Sequence, residues 1–155
     1  MEIRSDSTRR TIEVAARLGK LLSPGDVVGL QGELGTGKTV VVRGIARGLG
    51  YQGPVQSPTF TIMRTYPLIR LCHVDAFRLD GADQLFDIGI EEYMDGEWVC
   101  VIEWADRVRD AVPGEALTVH LYSGEGEDDR LITVAGSVEW ERRISGLEEV
   151  PAGEE

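Results

Sequence analysis

An α/β fold on a mixed central sheet is predicted by three features of this 155-residue chain. Apolar runs of strand length, among them DVVGLQ, LIRLCHVD and EWVCVIE, alternate with segments of helical period. Two pairs of strand-like runs are joined by short turns and read as hairpins. Hairpins bring antiparallel strands into the sheet, and the chain holds too few crossover helices for a strictly parallel one. Its length suits a single domain with its own core.

The elements follow in order. SDSTRRTIEVAARLGKLL places Ile12, Ala15, Ala16, Leu18 and Leu22 near helical period, with Ser5, Asp6 or Ser7 as candidate caps. SPGD turns the chain, and DVVGLQG reads as a buried strand. GTGKTVVVRGIARGLG predicts a helix whose β-branched run, Val40 to Val42, implies burial against a sheet. Pro54 and Pro58 deny helix to YQGPVQSPTFT. TIMRTYP and LIRLCHVD read as strands meeting at a Pro67 turn. A short helix is predicted near Asp83 to Asp87, a strand over EWVCVIEW, and a short helix over ADRVRDAVP that Pro113 stops. ALTVHLY and RLITVAG alternate apolar and polar residues, as strands with one wet face do, and SGEGEDD joins them. VEWERRISG closes as a small helix. Residues 1–145 are assigned to the domain and 146–155 to an acidic, disordered tail.

A formal net charge of −11 repels phosphate at long range. Unaided binding of nucleic acid is therefore disfavoured, and any nucleotide site must be strongly positive locally. Cys72 and Cys100 lie in apolar strand-like runs without ligand spacing and read as buried free thiols. His73 and His120 are not spaced as metal ligands either. No apolar run approaches the roughly 20 residues of a membrane helix. The N-terminal stretch lacks the long apolar segment of a secretory signal, so a cytoplasmic location is expected.

Local positive charge is available at GELGTGKT, Gly32 to Thr39, which fits G-x-x-x-x-G-K-[ST] between a strand and a helix. Glycines let such a loop curl so that successive N–H groups form a nest for phosphate oxygens. The N-terminus of the following helix adds partial positive charge. Lys38 supplies a full charge within reach of β- and γ-phosphates, and the Thr39 hydroxyl is placed to ligate Mg²⁺. The expected architecture is a P-loop NTPase-like three-layer sandwich. In such folds, acidic partners sit at the carboxyl ends of neighbouring strands. Asp75, ending LIRLCHVD, and Glu103, ending WVCVIE, have that setting. One would hold Mg²⁺ and the other orient a nucleophile, and their spacing does not say which. Thr59 and Thr61, in SPTFT, are candidate γ-phosphate sensors.

Taken together, PGDVVGLQGELGTGKT, QSPTFTI, HVDAFRL, IGIEEYM and VIEWADRV resemble the TsaE family, small P-loop ATPases of bacterial tRNA threonylcarbamoyladenosine biosynthesis. The matching stretches run over roughly residues 10 to 110. The resemblance implies that Gly32, Leu34, Gly35, Thr36, Gly37, Lys38 and Thr39 cradle the phosphates of ATP. It implies that Thr39 and Glu103 bind Mg²⁺, and that Lys38, Asp75 and Glu103 serve hydrolysis. Ser57 to Thr61, with Thr59, would be the switch segment. Trp104 is similar to the tryptophan that follows the metal glutamate. Residues Asp6 to Thr11 would lie near the base, with Thr11 in contact with the ligand. The chain departs from the family pattern at Glu33, usually aspartate, and at Phe60 and Phe77, usually tyrosine.

The resemblance also implies two protein partners, TsaD and TsaB. TsaD transfers threonylcarbamoyl to an adenosine beside the anticodon, while the ATPase resets the complex and meets tRNA only through it. Hydrolysis is expected to be slow alone and faster with partners. The alternative reading is a small-molecule P-loop kinase, which needs an acceptor pocket and a lid, and the sequence has no insert long enough for one. A nucleotide-gated binder without turnover would have no use for a second acid.

Overall fold

Ser7 accepts a hydrogen bond from the Arg10 N–H and so caps the first helix, α1 (Thr8–Leu21). The computed structural model describes residues 1–58 and 60–147. Ahead of α1 runs a strand absent from the sequence expectations, β1 (Glu2–Ser5). The chain continues through β2 (Val27–Gln31), α2 (Lys38–Gly48), β3 (Met63–Tyr66), β4 (Leu71–Asp75) and α3 (Ala82–Asp87). It then forms β5 (Val99–Glu103), β6 (Leu117–Ser123), β7 (Arg130–Ala135) and α4 (Val138–Arg143). Short 3₁₀ turns occupy Pro67–Ile69, Ile90–Tyr93 and Ala105–Ala111. The last was expected as one helix. Val108, with φ −129° and ψ 37°, breaks it into two turns.

The seven strands lie in the order β1-β7-β6-β2-β5-β4-β3. The β2–β5, β2–β6 and β4–β5 pairs are parallel, while β1–β7, β6–β7 and β3–β4 are antiparallel. The sheet is therefore mixed, as the two hairpins require. Its central strands obey the two-residue alternation of a sheet buried on both faces. Val28 and Leu30 of β2 with Val99 and Val101 of β5 meet α1 and α2 in one core. Cys100 and Ile102 of β5 with Cys72 and Val74 of β4 meet α3 and the 3₁₀ turns in the other. Cys72 and Cys100 are both buried and free, as expected.

The second helical layer is short and covers the sheet only in part. On β6, Thr118 and His120 are half-buried and Tyr122 is exposed, with the His120 and Tyr122 rings stacked at 4.1 Å. At the C-terminus, Leu147 is buried at 2% exposure, so packing continues past residue 145, where the domain was assigned to end. The remainder of the expected tail, 148–155, lies outside the described residues.

α1 and α2 pack at backbone distance. A Cβ added at Gly44 would strike the Ala15 side chain, and one at Gly48 would strike the Ala16 carbonyl. Neither obstacle is a flexible side-chain tip that could step aside. Gly48→Ala is thus expected to destabilise the fold by about 3 kcal/mol, the upper range for overpacking a close helix contact. Urea denaturation checks this, and a midpoint equal to wild type would contradict the packing described.

Candidate functional site

The parallel register aligns the carboxyl ends of three strands. Asp75 stands opposite Glu103 across β4–β5, and Leu30 stands opposite Glu103 across β2–β5. The glycine-rich loop leaves β2 one residue after Leu30's neighbour Gln31 and enters α2 at Lys38. Strand order therefore gathers Asp75, Glu103, Lys38 and Thr39 on one edge, although they are spread over more than a third of the chain. Gly37 is the N-cap of α2 at φ 95°, a left-handed conformation that suits glycine, and no side chain caps the helix there. The first N–H groups of α2 thus keep the positive potential of an uncapped helix start.

Cations hold the loop by its carbonyls. Lys38 Nζ donates to Gly32 O at 2.7 Å and Glu33 O at 3.0 Å, and lies 4.0 Å from the centroid of the Trp104 ring. Arg130 Nε donates to Thr36 O at 2.7 Å and Nη2 to Gly35 O at 3.3 Å. Thr36 Oγ1 closes the turn internally on Glu33 O at 2.8 Å. Leu34 projects from the tip, largely exposed. Lys38 is only 5% exposed, and that burial lowers its pKa below the usual lysine value. The carboxylates of Glu103, Asp75 and Asp106 act in the opposite direction.

Thr39 Oγ1 donates to Glu103 Oε1 at 3.2 Å. The other carboxylate oxygen, Oε2, lies 2.6 Å from His73 Nε2. Asp75 is also buried, with Oδ2 accepting from Ser57 Oγ at 2.9 Å and Oδ1 from the Phe77 N–H at 3.0 Å. Ser57 thereby ties the irregular segment before β3 to the site. Trp104 takes a left-handed conformation, φ 59° and ψ 41°, which is strained for a tryptophan. That turn follows directly on Glu103, and the ring ends beside Lys38. Phe77 packs on Trp104 at 5.1 Å with Arg107 over both rings. Phe77 is therefore an apolar partner of Trp104.

Among the described residues no three His, Cys, Asp or Glu side chains cluster as a metal site. The Thr39–Glu103 pair offers one hydroxyl and one carboxylate, both hard oxygen donors. Such a pair fits Mg²⁺, which keeps water and substrate phosphate as its other ligands.

The remaining expected contacts separate. Thr11 is buried, its hydroxyl paired with Ser5 Oγ at 2.8 Å and with Ser7 O at 3.2 Å. It lies behind the wall of a cleft of about 650 Å³ whose lining includes Arg4, Ser7, Arg10, Tyr122 and Arg130. Thr59 lies outside the described residues. Thr61 is exposed.

A family profile described as "Threonylcarbamoyl adenosine biosynthesis protein TsaE" matches residues 5–132 of the chain. The chain belongs to the TsaE family. Its family acts in making threonylcarbamoyladenosine in tRNA. The TsaE protein of Treponema pallidum is 42% identical over 132 residues, covering 84% of this chain and 97% of its own. That of Bacillus subtilis is 38% identical over 132 residues, covering 84% and 82%. In three dimensions the chain is similar to the crystal structure of Bacillus subtilis YdiB, with a TM-score of 0.80 and 32% identity. That likeness covers 96% of this chain and 94% of the other.

Two residues that contact Glu103 and the loop are not among the sequence candidates. His73 lacks metal-ligand spacing, but it lies two residues before Asp75 on one strand and so shares its face. Arg130 had no local signal, since it follows an acidic turn and reaches the loop only through the fold.

Proposed function

We propose that this chain is an ATP-hydrolysing subunit, required with TsaD and TsaB for threonylcarbamoyl modification of the adenosine next to the tRNA anticodon, in the cytoplasm. Among the described residues no helix is long and apolar enough to cross a membrane. The observation that carries the reading is the convergence of Lys38, the Thr39–Glu103 pair and Asp75 at the uncapped start of α2.

Each part has a separate task. The N–H groups of the loop and of the first turn of α2 would receive phosphate oxygens, with Lys38 neutralising their charge. Its lowered proton affinity comes from burial, and an incoming phosphate would favour the charged form again. Thr39 and Glu103 would hold Mg²⁺, which when bound offsets negative charge on the transferring phosphoryl group. Asp75, buried and held by Ser57 and the Phe77 N–H, would orient the attacking water. The cleft beside the loop has room for a nucleoside, with the exposed Tyr122 ring as a stacking surface and Arg130 joining it to the loop.

Arg130→Ala is expected to weaken ADP binding about tenfold, the loss of roughly one charge-assisted contact plus loop order. Calorimetry reads it directly, and wild-type affinity would detach the cleft from the nucleotide. The whole reading is tested by phosphate release with and without TsaB and TsaD. Low turnover alone and a clear rise with partners is the expected pattern, and equal rates would remove the partner dependence. Label from the γ-phosphate appearing in an added metabolite rather than as free phosphate would favour a kinase.

A further inference from the structure

His73 is fully buried on β4, yet it is neither a strand-end residue nor a candidate ligand. Its register partner on β5 is Val101, two residues before Glu103, so the Glu103 side chain meets the imidazole diagonally across the parallel pair. The contact is short, 2.6 Å from Nε2 to Oε2, and both side chains are almost completely removed from water. An ionised carboxylate accepts only, so Nε2 carries the proton and donates. The second ring nitrogen, Nδ1, is buried without a partner.

That arrangement is wasteful for packing alone. The ring shares a sheet face with Leu71, Val99 and Val101, where an aliphatic residue would fill space without leaving a polar atom unpaired. The return on the misplaced ring is the fixed carboxylate. With Oε2 held by His73 from within the core, Oε1 is turned to Thr39 at the mouth of the site. A free glutamate would have three rotatable bonds and two equivalent oxygens to order when a cation arrives.

We propose that His73 is a positioning residue that presents one oxygen of Glu103 to the divalent cation. It acts through Glu103 and does not itself touch cation or nucleotide. The proposal rests on the reading that Glu103 is a metal ligand.

The test measures ADP affinity with and without Mg²⁺, and Mn²⁺ uptake by electron paramagnetic resonance in the presence of ADP. Both are binding readouts, independent of turnover. In wild type the ratio of the two ADP affinities gives the metal coupling. His73→Leu is expected to lower that coupling about tenfold, within the usual range for a residue supporting a metal ligand, while leaving metal-free ADP affinity unchanged. His73→Gln, whose side-chain amide reaches the position of Nε2, is expected to restore most of it. His73→Asn, whose amide reaches only the position of Nδ1, is not.

A folded His73→Leu protein with wild-type coupling overturns the proposal. Should the leucine variant not fold, the glutamine and asparagine variants decide, and equal coupling in both overturns it. Glu103→Gln separates the two layers. If it keeps wild-type coupling, Glu103 is not the ligand and both readings fall. If it loses coupling while the histidine variants keep theirs, only the role of His73 falls.

Discussion

Lys38→Ala is expected to reduce ATP and ADP affinity by at least about 100-fold, on the order of 3 kcal/mol. The size follows from the surroundings. The protein carries a formal net charge of −11, so the site works against a repulsive background. Glu103, Asp75 and Asp106 act electrostatically on Lys38, and without its ammonium group these carboxylates would face the phosphates directly. Arg130 is committed to the loop carbonyls and does not replace it. The cost to folding is expected to be much smaller, about 1 kcal/mol, because hydrogen bonds exchanged for water contribute little net stability. Without Lys38 the Glu33 carbonyl still accepts from the Thr36 N–H and hydroxyl. Calorimetry with a circular-dichroism control separates the two effects. Wild-type affinity in the folded variant would mean that nucleotide binds elsewhere or not at all.

Replacing Glu103 is expected to split into two outcomes according to the substitute. Glu103→Gln should lower Mg²⁺-dependent phosphate release about 100-fold or more, because it removes the negative charge that fixes the cation. Metal-free nucleotide affinity should not fall, since Lys38 and the loop remain and one carboxylate that opposes the phosphates loses its charge. The amide still offers an oxygen to His73, so the fold should hold. Glu103→Ala should lose turnover and also destabilise the protein by about 3 kcal/mol. It strands His73 in the interior with neither ring nitrogen paired. Phosphate-release assays and urea denaturation of both variants check the split. Equal stability for alanine and glutamine would mean that the His73 contact adds nothing to the fold.

Much of the site could be read directly along the chain because its signals are local. The strand, the glycine-rich turn and the helix from Val27 to Gly48 are contiguous, and each owes its form to neighbours a few residues away. Asp75 and Glu103 stood out by the same local logic, as charges ending apolar runs. β1 is not legible along the chain because four residues of alternating burial are too few to show a period beside a strong helix pattern. The turns at Ala105–Ala111 read as a helix from composition, and packing against Gly29 of β2 and around Val108 set their actual path.

The contacts that complete the site join distant residues: Ser57 with Asp75 over 18 positions, His73 with Glu103 over 30, and Arg130 with Thr36 over 94. Motifs carried the resemblance to the family and pointed to the acids beside the loop, and periodicity pointed to the sheet class. Which oxygen of Glu103 is held, what ties the loop, and which residues wall the cleft came from the order and register of strands. Those are set by how two apolar faces of one sheet are jointly buried, a condition on the whole chain that no short window of residues contains.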